Sequence, residues 1–158
     1  MKNLDRRDFL KKTSLSGAAI ATASILSSSK HVEKRDTNSY YMGDYSAPKL
    51  ETVRVAFIGV GARGTGHARQ IATIKGTEVV AISDLYQDLA QRSIDNCKEI
   101  GNGERHNEIA IYYGDEDKWK LMLKEIKPDV VFISTNWNNH APMVIEAMNN
   151  GSHAFVEV

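Results

Sequence analysis

The segment Gly59-Val60-Gly61-Ala62-Arg63-Gly64 constrains this chain more than any other, because of where it falls. The apolar run Val53 to Ile58 leads directly into it, and a helical period from about Thr65 to Ile74 follows. A lone G-x-G-x-x-G is weak evidence, but between a strand and a helix it reads as the phosphate turn of a βαβ unit. In such a turn Gly59 permits the tight reversal, Gly61 removes the side chain that would obstruct a pyrophosphate, and Gly64 lets the helix close on the strand. The helix start then offers free N–H groups and partial positive charge to the anion. Asp84 ends the next apolar run, twenty residues past Gly64. An acid there accepts hydrogen bonds from an adenosine ribose 2′-hydroxyl and repels a 2′-phosphate, which favours NAD over NADP. Arg63 pulls the other way, since an arginine inside the turn can reach a phosphate. A tight glycine turn without a ligand is the plainer alternative, and strand, turn, helix and acid in register count against it.

The remainder of the chain repeats the strand and helix alternation. Strands are expected at Val53 to Ile58, Val79 to Ser83, Ile109 to Tyr112, Val130 to Ile133 and His153 to Val158. Between them, buried helix faces are expected at Ala90, Ser93, Ile94 and Cys97, at Trp119, Met122, Leu123 and Ile126, and at Ala141, Val144, Ile145 and Met148. Asp115 is read as an N-cap, Pro142 as part of a first turn, and Gly151 as a C-terminal stop. Trp119 at this spacing is read as core and not as a stacking platform for a cofactor. Right-handed crossovers assemble these elements as an α/β, Rossmann-type parallel sheet of order 3-2-1-4-5, with helices on both faces and a crevice at the carboxyl ends of strands 1 and 4.

The N-terminus reads as an address, to be set aside from the fold. Arg6-Arg7-Asp8-Phe9-Leu10-Lys11 and the apolar run Leu15 to Leu26 have the order of a Tat export signal, with Asp5 departing from the usual Ser or Thr. The run is too short to span a hydrocarbon core of about 30 Å. Ala21-Thr22-Ala23 offers a small-x-small cleavage site, so residues 1–23 are assigned to the signal and the polar, aperiodic stretch 24–48 to a linker. The alternative is a cytosolic amphipathic N-terminal helix. Without residues 1–23, which hold five basic and two acidic residues, the balanced charge of the whole chain becomes −3. An exported, periplasmic protein with no membrane span in its mature form is the expectation. The balance of twenty basic and twenty acidic residues supplies no field for nucleic acid. Cys97 is the only cysteine, so the chain has no intrachain disulfide, and it reads as a small buried apolar residue. No metal-ligand pattern is read, and His67 and His153 carry no separate signal.

Several consecutive blocks carry a resemblance: Pro48 to Val55, the turn Gly59 to Gly64, Val79 to Leu85, Trp137-Asn138-Asn139-His140 and the terminal Val156-Glu157-Val158. Over about Lys49 to Val158 the chain resembles the N-terminal domain of the glucose-fructose oxidoreductase and inositol dehydrogenase family (Gfo/Idh/MocA). Within it, the likeness is greatest to glycoside hydrolase family 109, the NAD-dependent α-N-acetylgalactosaminidases. Ordinary dehydrogenases of the family read Glu-Lys-Pro after strand 5, with a lysine that assists proton transfer at the carbinol. Val158 stands at that lysine's position, which argues against a simple alcohol dehydrogenase and agrees with the glycosidases. The resemblance implies that Ala62 and Arg63 lie along the pyrophosphate, that Asp84 holds the ribose, that Trp137, Asn138, Asn139 and His140 line the nicotinamide side, and that Glu157 and Val158 close that crevice. For His140 alone, a polar residue near a helix start is an equally good reading.

The chemistry implied by the resemblance is oxidation at C3 of the sugar, elimination of the C1 substituent, addition of water and return of the hydride. The cofactor is regenerated within such a cycle, and the paired carboxylates of most glycosidases are not required. The substrate is then a sugar or glycoside. The family's C-terminal α/β domain is absent from this chain, so the catalytic residues are expected there and the chain alone is expected to be inactive. Three readings follow: the NAD-binding domain of an exported glycosidase, that of a sugar or polyol oxidoreductase, or a fragment that only binds nucleotide.

Overall fold

In the computed structural model, residues 46–102 and 104–157 are described; the segment expected to be an export signal, most of the expected linker and Val158 lie outside them. Residues from Lys49 onward form one compact unit. Five strands, β1 (Val53–Ile58), β2 (Thr77–Asp84), β3 (Ala110–Tyr113), β4 (Val130–Ile133) and β5 (His153–Val156), alternate with four helices, α1 (Ala62–Thr73), α2 (Gln87–Gly101), α3 (Lys118–Ile126) and α4 (Trp137–Asn149). The sheet is parallel throughout, in the order β3-β2-β1-β4-β5, as the strand and helix alternation requires.

Burial explains why the central strands are almost wholly apolar. In β1, Val55 and Phe57 face a core shared with Ala68 and Ala72 of α1 and Ala90, Ile94 and Cys97 of α2. Ala56 and Ile58 face the opposite core, with Trp119, Met122 and Leu123 of α3 and Met143 and Ala147 of α4. Period-two alternation therefore gives two apolar faces and not one polar face, the mark of a parallel sheet covered on both sides. The expected faces of α2 and α3 are the buried ones, and Trp119 is core.

Several local expectations are corrected. Helix α1 begins at Ala62, inside the glycine motif, and not near Thr65. The second strand starts two residues early at Thr77, the third runs one residue late to Tyr113, and the fifth ends at Val156. Asp115 does not cap α3: the cap is Asp117, and Asp115 Oδ1 accepts from the Asp117 N–H at 2.8 Å in the turn before it. Helix α4 starts at Trp137, so Pro142 falls inside it, beyond the first turn. Its buried residues are Met143 and Ala147, while Ile145 and Met148 are 59% and 62% exposed. The real buried stripe is rotated by roughly a third of a turn from the expected one, because small Ala147 and pliable Met143 are what fit against β4 and β5. Gly151 does follow the helix end, at φ 85°.

Two arginines close the end of the sheet away from the glycine turn. Arg54 donates from Nη1 and Nη2 to the carbonyls of Lys127 and Ile126 at 3.0 and 2.9 Å, and Arg105 to those of Ile74 and Ala72 at 2.7 and 3.1 Å. These carbonyls lie at the C-terminal ends of α3 and α1, where positive charge also complements the helix dipoles. The opposite helix ends, the N-termini, remain at the carboxyl edge of the sheet.

Candidate functional site

The turn after β1 is built from both sides. Gly59 has φ 82°, and a Cβ there would lie 2.8 Å from the Ser134 carbonyl oxygen. At Gly64 a Cβ would lie 2.0 Å from the Gly59 oxygen, so α1 can pack this close only without one. Gly61 is different: nothing lies within 4 Å of its would-be Cβ. Its missing side chain keeps space open in front of the helix, which is the requirement for an approaching ligand and not for packing. Thr65 is the first α1 residue whose N–H returns to the turn, at 3.1 Å from the Gly61 carbonyl, and its hydroxyl donates to Val60 O at 2.6 Å. The earlier N–H groups of the helix have no intrahelical acceptor and face an anion's position.

Asp84 lies at the end of β2 beside this turn. Its Oδ2 accepts from the Val60 N–H at 2.7 Å and its Oδ1 from the Tyr86 N–H at 3.0 Å. The carboxylate thus fixes the glycine turn and its own loop, a role the sequence reading did not foresee. An ionised carboxylate has about four acceptor positions, so two remain for ligand hydroxyls. A cleft of about 360 Å³ opens here, lined by Gly59, Gly61 and Asp84, by Asp115 and Glu116 before α3, and by Ser134 to Asn136 before α4.

The expected nicotinamide-side residues are divided. Asn139 lines the cleft, and its N–H donates to the Asn136 side chain, which caps α4. Trp137 is 81% exposed, Asn138 is exposed, and the His140 Nε2 pairs with the Thr135 carbonyl at 3.0 Å. Ser134, Thr135 and Asn136, absent from the sequence-based set, line the cleft in their place. Trp137 to His140 form the first turn of a helix, so three of the four point elsewhere while the preceding loop meets the cleft.

Glu157 follows β5 on the other side of α1, with its N–H donating to Ile133 O at 2.9 Å. His67 hydrogen-bonds its carboxylate, and Arg63 Nη1 stands 3.7 Å away. His67 was missed because one histidine on an amphipathic helix carries no pattern; only the fold, which brings the residue after β5 to α1, reveals its partner. Among the described residues, no cluster of three or more His, Cys, Asp or Glu side chains is arranged to hold a metal ion, and no helix is long and apolar enough to cross a membrane.

A parallel 3-2-1-4-5 sheet with an open glycine turn, an acid after β2 and a crevice at the switch point defines a Rossmann domain for a dinucleotide. Residues 53–158 match the family model described as oxidoreductase family, NAD-binding Rossmann fold (GFO_IDH_MocA). The chain belongs to that family, and its cofactor is NAD. It is similar to glycosyl hydrolase family 109 protein 2 of Akkermansia muciniphila, at 38% identity over 97% of this chain and 34% of that one. It is also similar to an alpha-N-acetylgalactosaminidase of Shewanella oneidensis, at 36% identity over 100% and 34%. The chain thus spans about a third of the length of these relatives. Among solved structures it resembles apo scyllo-inositol dehydrogenase from Lactobacillus casei, with TM-score 0.53, 25% identity and 70% and 29% of the two chains covered. For myo-inositol 2-dehydrogenase from Lactobacillus plantarum the TM-score is 0.50, the identity 29% and the shares 66% and 27%.

Proposed function

We propose that this chain is the NAD-holding part of an exported glycosidase of the α-N-acetylgalactosaminidase type. The observation that carries the reading is its likeness, over nearly its whole length, to proteins bearing that name and the family 109 name. Val158, standing where the dehydrogenases of the family have their lysine, supports it, since an apolar side chain accepts no proton.

The residues at the cleft fit the cofactor. Gly61 and the first N–H groups of α1 would receive the pyrophosphate, and Asp84 the adenosine ribose. Asn139 and the loop before α4 would flank the nicotinamide, and the family resemblance brings Glu157, which lies outside the cleft lining, to that end as well. When bound, the nicotinamide supplies a hydride acceptor and donor. The chain's own contribution is to hold the ribose with a charged acceptor and to leave no bulk in front of α1. It presents no group at Val158 that would draw a proton from a carbinol. The twin-arginine segment supports export in a folded state, with the cofactor acquired beforehand; replacing Arg6 and Arg7 by lysine should leave the protein in the cytoplasm.

A full-length protein carrying this segment, given a chromogenic α-N-acetylgalactosaminide, should release the aglycone without accumulating NADH. The likeness to inositol dehydrogenases supports a second reading, a sugar or polyol oxidoreductase. NADH build-up without aglycone release would favour that reading and overturn the first.

A further inference from the structure

We propose that His67 is a positioning residue that holds the Glu157 carboxylate at the nicotinamide end of the site, an inference that rests on the placing of Glu157 given above. Three observations converge on it. The His67 Nε2–H donates to Glu157 Oε2, and both side chains are largely enclosed, 31% and 25% exposed. The imidazole is itself held: it stacks on Phe132 at 6.1 Å between centroids and 29° between planes. Phe132 in turn stacks on Phe57 at 5.3 Å and on Phe155 at 5.2 Å. That row of rings crosses β1, β4 and β5, so the histidine rests on a phenylalanine that is itself held from both neighbouring strands, and its N–H is directed by that support. Finally, Glu157 is anchored at its backbone by the bond to Ile133 O. With His67 at the other end, the whole residue has one arrangement.

Arg63 differs from His67 although both face Glu157 from α1, one turn apart. Its side chain is 79% exposed and its nitrogen stands 3.7 Å from Oε1, a loose pair that solvent screens. Arg63 is therefore free to turn toward a phosphate when a dinucleotide arrives, and His67 alone then keeps Glu157 in place. The two residues divide the work: the mobile cation follows the ligand's charge and the stacked ring holds the protein's.

The test compares NAD with ADP-ribose, which shares the adenosine and both phosphates but lacks the nicotinamide. Affinities are measured calorimetrically on the 158-residue chain. Glu157→Ala and His67→Ala are each expected to weaken NAD binding roughly five- to tenfold, the loss of about one directed hydrogen bond, while ADP-ribose affinity stays the same. His67→Gln, which keeps an N–H donor, should recover most of the loss. Arg63→Ala should weaken both ligands alike. A parallel fall for both ligands in His67→Ala would reduce the residue to a structural role and overturn the proposal. If Glu157→Ala changes the NAD to ADP-ribose ratio and His67→Ala does not, the proposal alone falls. If neither changes it, the placing of Glu157 falls as well.

Discussion

The three glycines of one motif separate into two kinds when each is asked what its Cβ would meet. Gly61→Ala adds a methyl group into open space, so its structural cost is that of a changed helix cap, up to about 1 kcal/mol. The same methyl group stands where the pyrophosphate approaches, and NAD binding should be lost. Gly64→Ala drives a Cβ into the Gly59 carbonyl and should destabilise the domain by about 3 kcal/mol or more through backbone displacement. Thermal unfolding and NAD titration on the two variants distinguish these outcomes; an equal loss of stability in both would contradict the division. Cys97 is also decided at this scale. Burial pushes its thiol up from 9.0 to about 11. The folded protein disfavours the thiolate, so this contribution to stability is complete below pH 9 and is lost as pH rises through about 11. Since the thiolate is the nucleophile, iodoacetamide should label the native protein only as fast as it unfolds, and labelling that outpaces unfolding would show the thiol to be accessible.

Elements here are tied by polar groups that the periodicity of the sequence cannot announce. His106 is wholly buried between β2 and α1. It accepts the Val79 N–H at Nδ1, which fixes the other nitrogen as the donor to Ala72 O, both at 3.0 Å. His106→Ala strands the buried Val79 N–H, leaves the Ala72 carbonyl with only its bond from Arg105, and opens a void, for an expected cost of about 3 kcal/mol in denaturant unfolding; a cost below about 1 kcal/mol would mean that water replaces the imidazole. Ser93 gives the opposite case: its Oγ is buried without a partner. Ser93→Ala removes an unsatisfied group and should leave stability equal or raise it by about 1 kcal/mol. The same contrast marks what was legible in the sequence. The stripes of α2 and α3 were readable because Ile94 and Leu123 face uninterrupted apolar strands. The stripe of α4 was not, since Ile145 and Met148 are apolar residues left at the surface and Ala147 is a small one placed inside. Hydropathy cannot tell those apart; the fit to β4 and β5 does. At the site, Gly61 and Asp84 were readable from fixed spacing, whereas His67, Ser134 and Thr135 owe their places to strand order.

Across the whole domain the two edges of the sheet are treated oppositely: Arg54 and Arg105 close one, and the glycine turn leaves the other open to a negatively charged ligand. Binding there must stabilise the folded chain alone, because the cleft draws residues from the ends of β1, β2 and β4 and from the loop after β3, which come together only on folding. At a hundred times its dissociation constant, NAD should add about 2.7 kcal/mol, which for a domain of this size raises the melting temperature by roughly 10 °C. Charge decides what else can bind. Asp84, Asp115 and Glu116 all line the cleft, and a 2′-phosphate brought beside them would meet three carboxylates. NADP at the same concentration should therefore give a small fraction of the shift seen with NAD. Asp84→Asn, which retains one oxygen for the Val60 N–H but removes the charge, should narrow the gap between the two cofactors from both sides. Equal shifts with NAD and NADP in the unmodified chain would show that Arg63 governs the adenosine end and that the carboxylates do not.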